Sequence, residues 1–238
     1  MDLFGRDITK IVMMEVTFFE ENPELSELFK NCPAEILKHW ELKEYPAGTI
    51  VYHQAEKYDS LSIIIGGCAS IYVIAENGRK YSPRELEKGD FIGEMEIFEE
   101  KPLLNSVEAI TNLKLLQIKR KYFMQWLELD RNISLYIIKY SNNRSCYCAQ
   151  KTMENSLYSL KMRVCNYLLS CTDQTGHSEN RIKINKEQLC ERFAVTKRSV
   201  NRILQYLRKE NIIAIHTDFI IINDPEKLAL EVEKSRSL

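Results

Sequence analysis

The stretch that most restricts the fold is Asn185 to Lys209, NKEQLCERFAVTKRSVNRILQYLRK. Apolar residues return twice at helical spacing, with a short break at Ala194-Val195, which predicts two helices joined by a tight turn. Asn185 is placed to cap the first helix, with Gln188 three residues on reaching back to the cap N–H. Leu189 and Phe193 then face inward. Thr196 suits the cap of the second helix, whose Val200, Ile203, Leu204 and Leu207 recur at i, i+3, i+4, i+7. The opposite face carries Lys197, Arg198, Asn201, Arg202, Gln205 and Arg208. These cations and amides are donors that fit guanine O6/N7 and adenine N6/N7 edges, so the pair predicts a helix-turn-helix that reads a major groove. The competing reading is an ordinary helical hairpin with a solvated basic face.

Local charge favours the first reading. From Arg181 to Glu210 there are nine Lys/Arg against three Glu, in a chain of 238 residues whose net charge is −1. Such asymmetry is the electrostatic footprint of a phosphate-binding face. The segment after the second helix adds support. Ile212 to Ile215, His216-Thr217-Asp218 and Phe219 to Ile222 predict a β-hairpin with polar turn residues. A recognition helix followed directly by a hairpin is the order of a winged helix-turn-helix. Asp224-Pro225 then caps and opens a last short helix.

The rest of the chain is long enough for a second core. Hydrophobic residues make up 45% and charged residues 28%, a soluble, globular balance, and a net charge of −1 argues against a histone-like or polybasic binder. Residues 1–24 are expected to form a helical lead-in. Asp2, Asp7, Lys10 and Glu15 interrupt its apolar centre and no basic region precedes it, so neither a signal peptide nor a membrane span is predicted, and the expected location is the cytoplasm. Seven cysteines, at 32, 68, 146, 148, 165, 171 and 190, are odd in number and scattered, with no Cys-x2-Cys pair. They predict neither a disulfide framework nor a zinc or iron–sulfur site.

From Tyr45 to about Lys119 short β-runs are punctuated by glycine. Ile50-Val51-Tyr52 follows Pro46-Ala47-Gly48, Leu61 to Ile65 ends at Gly66-Gly67, and Ala69 to Ile74 ends at the hairpin signal Asn77-Gly78. Further runs lie at Lys80-Tyr81-Ser82, Phe91-Ile92, Ser106 to Ala109 and Leu113 to Ile118. Strands so spaced predict an antiparallel barrel or jelly roll. Tyr122 to Leu129 reads as helix, and Asn132 to about Leu157 as one long helix. Ile133, Ile137, Tyr140 and Tyr147 mark one of its stripes, and Ile138, Ser141, Ser145, Cys148 and Thr152 a second, small and mostly polar one. Such a helix is either a spacer or a dimer seam. Lys161 to Cys171 is a further helix, and Thr172 to Asn180 a loop. The expected division is a lead-in at 1–24, a β-roll at 25–130, a long helix at 131–158 and a winged helix-turn-helix at 159–238. The fold class is α+β.

A glycine-punctuated barrel, a long helix and a winged helix-turn-helix, in that order, resemble the cyclic-AMP receptor protein and FNR (Crp/Fnr) family of bacterial transcription regulators. The resemblance is carried by Pro46-Ala47-Gly48, Gly66-Gly67, Asn77-Gly78, Gly89-Asp90-Phe91-Ile92-Gly93-Glu94 with Phe98, Arg163 to Leu169, and Lys186 to Leu207. It implies a cyclic-nucleotide-binding-like β-roll, a dimerisation helix, and a homodimer that binds a near-palindromic operator on double-stranded DNA. RNA polymerase is the implied further partner, and no membrane. The implied DNA-reading residues are Thr196, Lys197, Arg198, Ser199, Asn201, Arg202 and Gln205. The implied effector pocket includes Gly93, Glu94, Met95 and Cys148.

Departures from the family pattern matter. In its cyclic-nucleotide binders, the Glu after Gly bonds the ribose and a later Arg-Ser pair holds the cyclic phosphate. Here Gly93-Glu94 remain, but Pro102-Leu103-Leu104-Asn105 stand at the Arg-Ser position. A buried phosphodiester would lose its main partner, which argues against cyclic AMP. The FNR branch holds an iron–sulfur cluster through cysteines near the N-terminus; with only Cys32 before the barrel, no such cofactor is expected and the effector is left unidentified. Glu94-x-Glu96 has no nucleophile or base beside it in sequence, and none of His39, His53, His177 and His216 has a partner four residues on, so no enzyme is predicted. An alternative reading, a redox- or haem-responsive switch, rests on Cys146 and Cys148, which point about 200° apart on a regular helix. In the recognition helix, Arg202 keeps the family's base-reading Arg and Ser199 matches a phosphate-contacting hydroxyl. Lys197 stands where an Arg reads guanine, and Arg198 replaces an acid that accepts from cytosine N4. That last exchange predicts an altered base preference of about 1–3 kcal/mol.

Overall fold

The computed structural model describes residues 23–175, 181–183 and 186–236. The chain divides into two compact units, one comprising 23–73 with 84–144, the other 74–83 with 145–236.

The first unit opens with two short helices, α1 (Pro23–Phe29) and α2 (Ala34–Leu37), and continues into β1 (Glu41–Tyr45), β2 (Ile50–Tyr52), β3 (Ser60–Gly66) and β4 (Ala69–Ile74). Then come β5 (Lys80–Leu86), whose residues Lys80 to Pro83 belong to the second unit, β6 (Phe91–Ile92), the single turn α3 (Glu96–Glu99), β7 (Ser106–Ala109) and β8 (Leu113–Lys119). They form two four-stranded sheets, ordered β1-β8-β3-β6 and β2-β7-β4-β5, and every pairing with an assigned register is antiparallel. Tyr52, Ile64, Ala69, Leu86, Val107 and Leu115 meet in one core drawn from both sheets. The other face of the β3–β8 sheet is covered by helices, where Leu61, Ile63, Leu116 and Ile118 join Leu25, Phe29, Phe123 and Trp126. Burial on both faces explains why Leu61 to Ile65 is nearly continuously apolar rather than alternating.

Two glycines mark places where no other residue fits. Gly67 has φ +79°, and a Cβ there would lie 2.2 Å from the Asn112 carbonyl oxygen. Gly93, φ +87°, approaches the Ser60 carbonyl, 3.0 Å from where a Cβ would be. At the Asn77-Gly78 turn, Gly78 N–H donates to Ala75 O (2.8 Å) and Arg79 N–H to the Asn77 side chain (3.1 Å).

Helix α4 (Arg120–Leu129) follows β8, and α5 (Arg131–Leu157) begins after a one-residue break at Asp130. Asp130 takes extended backbone angles and is buried. Its carboxylate accepts from Trp126 Nε1 (3.2 Å) and from Asn132 N (2.8 Å), so one side chain closes the first helix and caps the second. The first turns of α5 bury Ile133 and Ile137 in the helix-covered core, with Tyr136 and Tyr140 beside them. Beyond, a row at alternating spacings of three and four (Leu135, Ile138, Asn142, Ser145, Ala149, Thr152) is solvent-exposed.

The second unit contains α6 (Leu160–Thr175), β9 (Arg181–Ile182), α7 (Lys186–Phe193), α8 (Lys197–Lys209), β10 (Ile213–Ile215), β11 (Ile220–Ile222) and α9 (Pro225–Arg236). Its core gathers Val164 and Leu168 from α6, Leu189 from α7, all four predicted residues of α8, Ile213, Ile220 and Ile222 from the strands, and Leu228 and Val232 from α9. The three strands form one antiparallel sheet ordered β10-β11-β9. Asp224 Oδ1 accepts from Lys227 N (2.9 Å), capping α9 ahead of Pro225.

Four expectations need correction or fall outside the described residues. Helix α6 runs to Thr175 rather than ending at Cys171, because polar residues extend an existing helix at little cost. The rest of the expected loop, 176–180, lies outside the described residues, as do Asn185 and residues 1–22 of the lead-in. Strand β1 lies ahead of the predicted barrel start at Tyr45. It pairs along one side only and its side chains are mostly exposed, so ELKEY shows little apolar alternation. Strand β9 is two residues long and owes its existence to pairing with β11.

Candidate nucleic-acid interface

The candidate DNA-reading surface grows from one helix. Thr196, extended at φ −75° and ψ 151°, accepts through its side chain from Ser199 N (3.3 Å) and so starts α8. The turn before it passes through Ala194 at φ +53°, with Val195 N–H bonded to Cys190 O (3.0 Å). Val200, Leu204 and Leu207 are fully buried and Ile203 nearly so, which fixes the rotation of the helix. The remaining face is then necessarily outward. Lys197, Arg198, Arg202, Gln205 and Arg208 are exposed, and Ser199 and Asn201 are half-buried at its border. Of the seven predicted residues, Lys197, Arg198, Arg202 and Gln205 are exposed on α8, Thr196 is exposed at its cap, and Ser199 and Asn201 flank the exposed face on opposite sides. Ser199 Oγ lies 3.1 Å from the Thr196 hydroxyl.

Lys197 is paired with Glu187 of α7, which holds the lysine above and the glutamate below its ordinary pKa. Both are solvent-exposed, so the pair is readily exchanged for a phosphate.

To Gln205 and Arg208 of the helix pattern the structure adds Lys186, His216 and Phe219. A groove of about 900 Å³ runs between α7–α8 and the β10–β11 hairpin, lined by Lys186, Gln205, Arg208, His216 and Phe219 among others. The hairpin closes with His216 N–H bonded to Phe219 O (2.9 Å). The Phe219 ring is flanked by the His216 ring, 4.3 Å away and nearly parallel, and by the Arg181 guanidinium at 3.6 Å. Arg181 and Lys186 were visible in the local charge excess; their convergence with the hairpin required the tertiary fold.

A second candidate site lies in the first unit. Asp90 accepts from Arg84 (2.7 Å) and the Tyr140 hydroxyl (3.1 Å) through Oδ1 and from Glu87 N (2.9 Å) through Oδ2, while Tyr140 accepts from Phe91 N (3.0 Å). The Gly-Asp-Phe run is thus fastened to α5. Just beyond it, burial pushes the Glu94 carboxyl up to about 7, with Glu96 adding to the rise and Arg144 and Arg84 opposing it. Met95 is 62% exposed. Leu103 is buried and Leu104 exposed, its N–H donating to Glu96 (3.2 Å), so this segment supplies no cation. Cys148, the remaining residue predicted for this pocket, belongs to the second unit; it is exposed on α5, and its carbonyl accepts from Thr152 (2.9 Å).

Comparison with known proteins matches two stretches of the chain to families. Residues 42–130 fit the cyclic nucleotide-binding domain, and residues 162–230 the Crp-like helix-turn-helix domain. The chain belongs to the Crp/Fnr family of transcription regulators. Crp/Fnr relatives include the cAMP-activated global transcriptional regulator CRP of Salmonella typhimurium, 26% identical over 191 residues, covering 78% of this chain and 91% of that protein. The fold is that of a putative Crp/Fnr regulator from Eubacterium rectale (TM-score 0.74, 18% identity, 87% of this chain and 97% of that one). It is also that of the c-di-GMP responsive regulator CLP of Xanthomonas campestris (TM-score 0.71, 18% identity, 80% and 99%). Crp/Fnr helix-turn-helix regulators bind DNA and act as dimers. Among the described residues no helix is long and apolar enough to cross a membrane.

Proposed function

We propose that this Crp/Fnr protein is a homodimeric, sequence-specific regulator that reads a near-palindromic operator through Thr196, Lys197, Arg198, Ser199, Asn201, Arg202 and Gln205. The observation that carries the reading is α8 itself. Four apolar side chains anchor one side in the core and leave a continuous exposed row of cations and amides on the other. Two such helices from a dimer enter successive major grooves about one helical turn apart. The exposed three–four row on α5 supports pairing along that helix, since Leu135 is 46% and Ile138 55% exposed in a single chain. RNA polymerase is the partner through which an operator-bound dimer acts on transcription.

The barrel is read as a sensor for a ligand other than cyclic AMP. Glu94 is retained, but Pro102 to Asn105 carries no cation, and Arg84 is already bonded to Asp90. The hinge is placed between Leu157 and Lys161, where α5 ends and α6 begins under the Ser159 hydroxyl, which accepts from Met162 N (3.2 Å). A ligand shifts such a hinge only by its unequal affinity for the two arrangements.

The test is selection of binding sites from random duplex DNA with the purified protein, with and without cyclic AMP, across a salt series. A single recovered two-fold motif, with Arg202→Gln losing about 1–3 kcal/mol of affinity for it, is expected. Indifference to duplex sequence under every condition refutes the proposal. A second reading, a redox- or haem-responsive switch, draws on the exposure of both Cys146 and Cys148. Operator affinity of Cys148→Ser that matches the parent with and without oxidant removes its redox form.

A further inference from the structure

A cavity of about 240 Å³ lies wholly within the second unit, apart from the α8 face, walled by the end of α5, by α6, by the last turn of α7 and by the strand segment around Tyr81. Three cations reach it: Lys151, Arg163 and Arg192. The lone carboxylate in its wall, Glu154, is already paired with Lys151 at 2.6 Å.

The two arginines are held by means other than acids. The Arg192 guanidinium lies 4.1 Å over the Tyr167 ring, and that of Arg163 is 5.8 Å from the Phe193 ring. Arg163 Nη1 donates to the Asn155 side chain, while its Nε is buried with no hydrogen-bond partner among the described residues. Stacking orients a guanidinium and leaves its in-plane donors available, the arrangement that suits recognition of a phosphate or carboxylate. The two guanidinium charges of Arg163 and Arg192 line one small cavity. An anion between them relieves their mutual repulsion.

Charge and size narrow its identity. Three cations against one carboxylate leave an excess of two positive charges, the complement of a phosphate monoester with its charge of about −1.5 to −2. The volume corresponds to about eight waters at ~30 Å³ each and falls below the ~300 Å³ at which drug-sized sites begin. We propose that this cavity binds the phosphate monoester of a small polyol, with Arg163 and Arg192 on the phosphate and the side chains of Asn166 and Ser170 facing the hydroxyl groups.

The site is read out by ligand binding, so its test is separate from that of operator recognition. Calorimetric titration of the full chain with glycerol 3-phosphate, with glycerol as the control, is expected to show one saturable site per chain at a dissociation constant of about 1 mM or tighter, and none for glycerol. Arg163→Gln removes a phosphate donor. Ser170→Glu, at an exposed position that tolerates the change, puts a carboxylate at the cavity wall. Each is expected to weaken binding about tenfold or more with the melting temperature of the protein retained. The proposal is overturned if glycerol 3-phosphate gives no saturable heat, or if Ser170→Glu binds it as the parent does. It is equally overturned if binding is lost in Arg202→Gln and kept in Ser170→Glu, which places the anion on the DNA-reading face.

Discussion

Replacing Glu231 by Gln tests how the DNA-binding unit is held together. Glu231 lies on α9 and is 3% exposed. Its carboxylate accepts from Lys161 of α6, from Lys234 (2.8 Å) and from the Tyr206 hydroxyl of α8 (3.1 Å), and the Lys161 ammonium also sits 4.1 Å over the Tyr206 ring. Burial alone would push this carboxyl up, but the bonds from Lys161, Lys234 and Tyr206 outweigh it and hold the pKa at about 2, against 4.5 for a free glutamate. That depression corresponds to about 3 kcal/mol of folded-state stability. Because the folded pKa is depressed, this stability is fully present above about pH 5 and is lost as pH falls towards 2. Breaking a buried pair by removing one partner costs a similar ~3–5 kcal/mol. Glu231→Gln is therefore expected to lower the stability of the unit by about 3 kcal/mol at pH 7, a shift in melting temperature on the order of 10 °C. Denaturant titrations followed by circular dichroism at a series of pH values from 7 down to 3 measure it. The gap between parent and variant should narrow on acidification. Equal stability at pH 7, or a gap that stays constant down to pH 3, refutes the reasoning.

Three further perturbations probe the same geometry. Glu94 has a raised pKa, so the first unit loses stability as pH climbs from about 4.5 through 7; Glu94→Gln should stabilise that unit at pH 8 by up to about 3 kcal/mol and be neutral near pH 4, as read by thermal melts at the two pH values. Gly67→Ala combines a left-handed backbone with a Cβ driven into the Asn112 carbonyl, and chemical denaturation should show a loss of more than ~2 kcal/mol. Ile138→Glu puts a charge into the exposed row of α5, and sedimentation should shift from dimer to monomer while the melting of each unit is nearly unchanged.

How far the chain could be read in advance depended on whether an element's burial is periodic along its own sequence. Helix α8 was legible residue by residue because its inward positions repeat every 3.6 residues and are all apolar. The β10–β11 hairpin was legible for the equivalent reason, with Thr217 and Asp218 breaking two runs of isoleucine. Strand β1 was not, since its exposed ELKEY leaves no alternation to detect, and β9 is too short to carry a pattern. Helix α5 was legible as a helix but not in its partners, because only its first turns are covered by the barrel core.

Local order also determined the two chemical arguments that need no long-range contact: the donor-rich face beginning at Lys197, and the absence of a cation between Pro102 and Asn105. The tertiary structure alone decided which distant groups meet. Lys161, Tyr206 and Glu231 are separated by up to 70 residues and share one carboxylate. Lys151, Arg163 and Arg192 come from three helices and line one cavity. Secondary structure is written in short-range periodicity and capping, whereas the pairing of buried charges depends on how helices pack, and no spacing along the chain encodes that.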